Sequence, residues 1–334
     1  MQNNVQELID NIVADRKLLY GKMWWKTDAS DMAILSAFLY ASAGKRADAD
    51  RYTECRKYLQ KKVNVFSEIR GIAEVIVITK MALSDDYEEY LDGVMEVYKK
   101  LRDIHKLTFS PYMVLAASNI YEAGGKLKAD DNIAKLERVY KEMQADHPFL
   151  TGDEDRPFLA TLVSRDLDVS SISSEIGNCY NACKSMSLSK EAMHTASQIM
   201  ALSAKDTATK VEDLSINMKA VKSHKLPGLK SVLMPLVAAL GLVNADPDEK
   251  AADIKEIYEY LKHQKGFKWY IGGPLRTMYS MLVYCLVNLD GEAAAINTVI
   301  STTVTNVIIE EIMTTIIIAT AASSASHSAS SGSN

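Results

Sequence analysis

Cys179 and Cys183 stand four residues apart, a spacing that puts both thiols on one face of a helix. Two thiolates there could grip a soft metal. A structural zinc site, however, takes four ligands at about 2.0–2.3 Å, and no histidine or further cysteine lies near the pair in the sequence. Two small thiols on a core face is the reading. His105, His147, His224 and His263 raise a sharper idea, because each follows a recurrent Tyr or Met by five to seven residues. A row of imidazoles could relay protons or share a metal. Packed helices lie about 8–10 Å apart, so equivalent positions on successive helices stand too far apart to meet at one ion. A favourable charge–dipole contact at each helix C-terminus accounts for them.

The remaining chemistry is excluded motif by motif. There is no G-x-S-x-G nucleophile elbow and no H-E-x-x-H zinc helix. "EAGGKLK" lacks the opening glycine of a phosphate loop, and its Lys126 is followed by Leu127. "GDEDRP" and "DPDEK" lack the alternating ligands and central glycine of a calcium loop. "GFKWYIGGPLR" sets Trp269, Tyr270 and Arg276 beside a Gly-Gly turn. Such a loop can hold a ligand, or it can be a long connection with aromatics packed beneath it. Trp24 and Trp25 pose the same choice between capping aromatics and a binding surface. These five residues form the candidate partner-binding set. No catalytic residue, cofactor site or metal site is assigned.

What must position them is helix. Only 15 Gly and 7 Pro occur in 334 residues, so turns and breaks are few. Apolar residues make up 48% and charged residues 24%, ordinary for a soluble chain. A net charge of −5 does not favour nucleic acid, whose binding needs a cationic surface. The four cysteines are scattered, as in a reduced cytosolic protein. The start, "MQNNVQELIDNIVADRKLLY", has no basic leader followed by an apolar run. The expected compartment is the cytoplasm.

The segments carry helical rather than alternating periodicity. "SPYMVLAASNIYEAGG" predicts Ser110 as N-cap, Pro111 at the first helical position and Gly124–Gly125 as the stop. "DRPFLATLV" repeats that opening with Asp155 and Pro157. "DPDEKAADIKEIYEYLKHQKG" puts acids in its first turn and Lys and His in its last. Beyond this lies self-similarity. "VMEVYKKL", "LERVYKEM", "IGNCYNAC", "LSINMKAV" and "IKEIYEYL" align on Tyr98, Tyr140, Tyr180, Met218 and Tyr258, separated by 42, 40, 38 and 40 residues. A weaker copy surrounds Tyr58. Between copies lies a second helix richer in small and apolar residues, as in "YMVLAASNIY" and "LRTMYSMLVYCLV". The unit is an amphipathic helix plus a more buried partner, about 40 residues long, the size of two-helix solenoid repeats. Its Tyr is read as a core anchor whose hydroxyl reaches an edge. The expected fold is all-α, with antiparallel helical hairpins stacked as an α-solenoid-like superhelix. A closed bundle of helical hairpins is the alternative.

The N-terminal third carries a family likeness. "LLYGKMWWKTDASDMAILSAFLYASAGKRADADRY" and "NVFSEIRGIAEVIVITKMAL" contain Trp24-Trp25, a helix ending Phe38-Leu39-Tyr40, a short charged loop, and Phe66-Ser67 leading into the next helix. In these features the chain resembles a bacterial family catalogued as domain of unknown function 4003, and the likeness runs to about residue 290. The resemblance implies one helical unit in a bacterial cytoplasm, and it brings no activity or catalytic residue.

The chain closes on an isoleucine-rich run. Asp290 and Gly291 are read as the start of a last helix, after which Ile296, Ile300, Val304, Ile308, Ile312 and Ile316 recur at every fourth position. Eight Ile or Val between Val304 and Ala322 offer roughly −4 kcal/mol of insertion energy, while Glu310 and Glu311 cost about +2.5 kcal/mol or more apiece. A transmembrane span is therefore not expected. A peripheral membrane helix ranks last, because it would need a basic polar face. The run is strongly β-branched, and exposed it would be an aggregation hazard. Its stripe should be covered by the last repeat or by another chain, making a homo-oligomer.

These features divide the chain into one helical-repeat domain (1–290), an apolar C-terminal helix (291–322) and a disordered Ser-rich tail (323–334). The functional expectation is a non-catalytic scaffold for a protein or peptide partner. The rival is an enzyme whose polar residues converge in a cleft invisible to sequence, and such a cleft would hold titratable groups with perturbed pKa values.

Overall fold

The recurrent aromatic falls on every second helix of the chain. The computed structural model describes residues 2–24, 26, 29–64, 67–70, 73–104, 111–146, 151–164, 168–228, 233–268 and 271–291. Among them are fourteen α-helices and no strand. The odd-numbered helices are α1 (Asn3–Tyr20), α3 (Ala49–Lys62), α5 (Tyr87–Ile104), α7 (Gly125–Asp146), α9 (Val169–Cys183), α11 (Thr207–Ser223) and α13 (Pro247–His263). The even-numbered ones are α2 (Ala29–Ser42), α4 (Glu74–Leu83), α6 (Pro111–Glu122), α8 (Arg156–Ser164), α10 (Lys190–Met200), α12 (Met234–Leu240) and α14 (Gly273–Gly291).

The two sets differ as their sequences dictate. Helix α5 buries Tyr90, Leu91, Val94, Val97, Tyr98 and Leu101, the single apolar stripe of an amphipathic helix. Helix α6 buries every residue from Met113 to Ile120, and α12 buries all of its residues. A helix apolar on all sides must be covered on all sides. The even helices accordingly form an inner set, each paired with an odd helix that shields it. The repeat aromatics Tyr98, Tyr140, Tyr180 and Tyr258 are core residues on odd helices, and the Tyr258 hydroxyl accepts from Arg276 at 3.1 Å. All four sit in the core, as expected of anchors.

Aspartates start the odd helices. Asp48, Asp86, Asp168, Asp206 and Asp246 each accept from backbone N–H groups at the openings of α3, α5, α9, α11 and α13. A cap of this kind contributes roughly 0.5–2 kcal/mol. Pro111 opens α6, and Gly125, with φ at +61°, follows the end of that helix. Ser110 lies outside the described residues.

Packing runs from hairpin to hairpin. Polar side chains pin the inner helices together: Thr79 of α4 donates to Ser36 of α2 at 2.9 Å, Lys80 of α4 donates to Asn119 of α6 at 3.1 Å, and Asn119 donates to Thr161 of α8 at 3.0 Å. Lys80, Asn119 and Thr161 occupy the same place in successive repeats. The series also meets its own beginning. Helix α14 packs against α1, Phe38 of α2 stacks on Tyr279 of α14 with ring centroids 5.1 Å apart, and Tyr260 of α13 donates to Asp10 of α1 at 2.7 Å.

Two local readings change. Asp155 does not cap α8 by side chain. It ends a 3-10 turn, Asp153–Asp155, and its carboxylate is used elsewhere. Asp290 does not open a new helix, because α14 continues through Gly291: "MLVYCLVNLDG" carries the apolar stripe to Leu289 with no breaker before the glycine. Residues 292–334, and with them the apolar run and the Ser-rich end, lie outside the described residues, as do His105 and His147. His224 caps the C-terminus of α11, with Nε2 3.5 Å from Asp248, and His263 ends α13. No helix of the described residues is long and apolar enough to cross a membrane.

All four cysteines are buried, Cys179 and Cys183 together on α9. Burial pushes the thiols of Cys55, Cys179 and Cys285 up to about 12 and that of Cys183 up to about 11. The thiolate is the reactive form, and a raised pKa keeps each group protonated at neutral pH. Alkylation at pH 8 should therefore label no thiol in the folded protein and all four after denaturation, as read by mass spectrometry. A separate test concerns Gly93 of α5, where an added Cβ would sit 2.0 Å from the Tyr121 ring. Gly93→Ala should cost about 1–3 kcal/mol in denaturant unfolding despite its better helix propensity. Adding Tyr121→Ala should lessen the additional penalty.

Candidate functional site

Because helices alternate in direction along the hairpins, the connections fall into two classes. Those from even to odd helices (43–48, 84–86, 123–124, 165–168, 201–206, 241–246) are short and mostly end in the capping aspartates. Those from odd to even helices (21–28, 63–73, 105–110, 147–155, 184–189, 224–233, 264–272) are mostly longer. Function concentrates on such loops when a rigid scaffold holds them. Of the candidate residues, Trp24 lies on this second class of connection and Arg276 in the turn that follows it.

The structure sets Trp24 and Arg276 apart. Trp24 is 79% exposed, and the Arg56 guanidinium stands 5.7 Å from its ring. Tyr20 and Leu18, at the end of α1, are 49% and 40% exposed, and Arg16 lies 4.8 Å from the Tyr20 ring. Together they give the end of α1 and the loop after it an aromatic surface with arginines beside it. Trp25, Trp269 and Tyr270 lie outside the described residues.

Arg276 faces inward. It is 6% exposed, and its guanidinium donates to the carbonyls of Phe267, Lys268 and Ile271 and to the Tyr258 hydroxyl, at 2.8 to 3.1 Å. It lies 5.2 Å from the Tyr258 ring. Its donors tie the carbonyls of Phe267, Lys268 and Ile271 to the start of α14, so its role here is to hold that backbone from beneath.

A second polar cluster was not legible in the sequence. Asp155 Oδ1 is 3.0 Å from His194 Nε2 and accepts from Gln198 Nε2 at 2.5 Å, while Oδ2 accepts from the Gly152 N–H at 2.9 Å. Asp155, His194 and Gln198 are all buried. The neighbouring Arg156 bonds Glu137 at 2.8 Å and Asp153 at 3.0 Å, over the Tyr140 ring. Burial raises the Tyr140 phenol above its usual value, with Arg156 opposing. A buried His–Asp pair is half of a proton relay. Both oxygens of Asp155 are engaged, however, and the three side chains tie the turn before α8 to α10. The pair behaves as a strut. His194 and Gln198 are a helical turn apart, but nothing in the sequence places Asp155 opposite them.

No group of three or more His, Cys, Asp or Glu among the described residues is arranged to hold a metal ion. Residues 17–313 match the model of a family described as Protein of unknown function (DUF4003). The chain belongs to the DUF4003 family. The match extends past the limit near residue 290 expected from the N-terminal likeness and takes in much of the isoleucine-rich run. No curated protein and no solved structure matches the chain. For this DUF4003 chain, function is therefore argued from its own residues.

Arg276→Met should lower stability by about 2–5 kcal/mol, because it leaves buried carbonyls without their donor. Trp24→Ala should change it by no more than about 0.5 kcal/mol. Denaturant melts of the two variants beside the parent would show whether the loop clamp and the exposed aromatic are as different as their surroundings imply.

Proposed function

We propose that this DUF4003 protein is a non-catalytic binding module that presents its odd-to-even connections to a protein or peptide partner. The observation carrying this is the exposure of Trp24, with Tyr20 and Leu18 also exposed on the preceding helix and Arg56 beside its ring. Tryptophan, tyrosine and arginine are the residues that dominate binding hot spots.

The architecture supports the same end of the molecule. In this reading the hairpins form a solenoid-like series bent until its ends meet, on the strength of the α1–α14 packing and the Phe38–Tyr279 stack. An open superhelix would offer a concave groove along its inner helices. Closure fills that side with hydrocarbon and leaves the loop ends as the surface for recognition. The enzyme reading draws on the Asp155–His194 bond, but a histidine 5% exposed, bonded to a fully used carboxylate, supports a structural role better.

A photo-crosslinking residue placed at position 24 should trap a discrete partner in cells that express the protein natively. The same residue at position 127, where Leu127 is 99% exposed in the first turn of α7, should not. Equal trapping from both positions, or none from position 24, overturns the proposal.

A further inference from the structure

We propose that the partner met by Trp24 is an acidic peptide segment, and that Lys17, Lys22, Lys57 and Lys61 form a cationic rim for a run of aspartates and glutamates around an apolar residue. The inference deepens the binding-module reading and rests on it for its biological use, while the charge pattern stands on its own.

Two cation-only stretches carry the pattern. No acid occurs from Arg16 to Lys26, which holds four cations, or from Cys55 to Ser67, which holds four more. The chain as a whole has a net charge of −5, so both stretches run against its balance. The fold brings them together: the Arg56 guanidinium of α3 stands 5.7 Å from the Trp24 ring, just beyond the end of α1. Part of the charge is consumed locally. Glu74 takes Lys26 at 3.0 Å and Arg70 at 3.7 Å, Asp92 takes Lys62 at 3.6 Å, and the buried Arg16 donates to Ser30. Lys17, Lys22, Lys57 and Lys61 are left over. Their ammonium groups form no hydrogen bond or ion pair among the described residues, and all but the half-buried Lys22 are exposed.

This gathering is unfavourable in the free protein. Lys57 and Lys61 stand four apart on α3, where like charges repel, and Lys17 stands three from Tyr20 on α1, on the same face. A ligand that brings carboxylates relieves the repulsion. Trp24, Tyr20 and Leu18 are exposed and offer that ligand an apolar contact, the arrangement of an anchor inside a polar rim. A short acidic peptide fits better than a larger polyanion. At 0.1 M salt a surface charge is felt over about 10 Å, so a peptide seated here meets only the lysines. A nucleic acid or an anionic bilayer extends over the rest of a protein whose net charge repels it.

Fluorescence anisotropy tests the surface, using the full-length chain with a labelled peptide of glutamates around one phenylalanine, and a second peptide with glutamine for each glutamate. In low salt the acidic peptide should bind saturably with Kd at or below about 100 µM, at least about tenfold tighter than the glutamine peptide, and added salt should weaken it. Lys57→Gln combined with Lys61→Gln should weaken binding at least about fivefold, and Trp24→Ala by a similar factor. Lys219→Gln combined with Lys222→Gln, at exposed positions of α11, changes the net charge equally and should leave binding within about twofold of the parent. The substituted side chains are all exposed, and circular dichroism checks that each variant is folded. Absence of saturable binding, equal binding of the two peptides, or equal loss from the two lysine pairs overturns the acidic partner. Tighter binding to vesicles of phosphatidylserine and phosphatidylcholine, or to a single-stranded oligonucleotide, also overturns it and assigns the lysines to a membrane or a nucleic acid. Cross-linking from position 24 is read separately: a partner trapped by a chain that ignores the acidic peptide leaves the binding module standing and removes the acidic partner. Peptide binding with nothing trapped from position 24 supports the cationic rim and removes the reading on which its use rests.

Discussion

Inner helices such as α6 and α12 are apolar nearly all round, and the rest of the structure answers to that fact. A helix such as α12, buried at every residue, is stable only with neighbours on all faces, because hydrophobic burial is the dominant favourable term in folding. The odd helices provide an outer shield with their single stripes. Adjacent even helices cover each other's flanks. The last described pair is covered in part by the first. The contact between α1 and α14 is thus required by the same apolar surface that sets the repeat.

Polar groups inside this core are tolerated where they join helices. Serine and threonine hydroxyls on inner helices bond back to carbonyls one turn earlier, as Thr79 does to Val75 and Ser197 to Met193. They stay small enough for close approach and satisfied enough to be buried. Larger polar groups bridge: Lys80 and Asn119 reach across to the next inner helix, and Asp155 meets His194 and Gln198. The short connections carry helix caps, while the long ones carry the aromatics and unusual charges. This division of labour between the two ends of the hairpins is why the candidate surface lies on one class of loop.

Much of this was legible in the sequence because it is local. The 40-residue recurrence of Tyr and the contrast between amphipathic and apolar helices are written in stretches of ten to twenty residues, and where those stretches are described they are helical. Contacts between distant residues were not legible. Nothing near Asp10 announces Tyr260, and nothing near Phe38 announces Tyr279. Arg276 looked like a ligand residue because a cation beside a Gly-Gly turn has the same sequence signature whether it faces solvent or the loop's own carbonyls. Glu74 begins an apolar helix and reads as a first-turn acid. Its gathering of Lys26 and Arg70 depends on two loops meeting in space.

The junction of first and last hairpins also bears on how the molecule holds together over time. In a linear array the terminal units have one neighbour and fray first, and stability is close to a sum over adjacent pairs. Here the terminal units brace each other across some 250 residues of chain, the separation of Tyr260 from Asp10. Joining them costs the entropy of closing a very long loop, a cost that grows only slowly with length, and once made the junction gives the first and last described hairpins a shared neighbour. Opening at any one hairpin then loosens the seam as well, so the hairpins should melt as one cooperative unit rather than peel from an end.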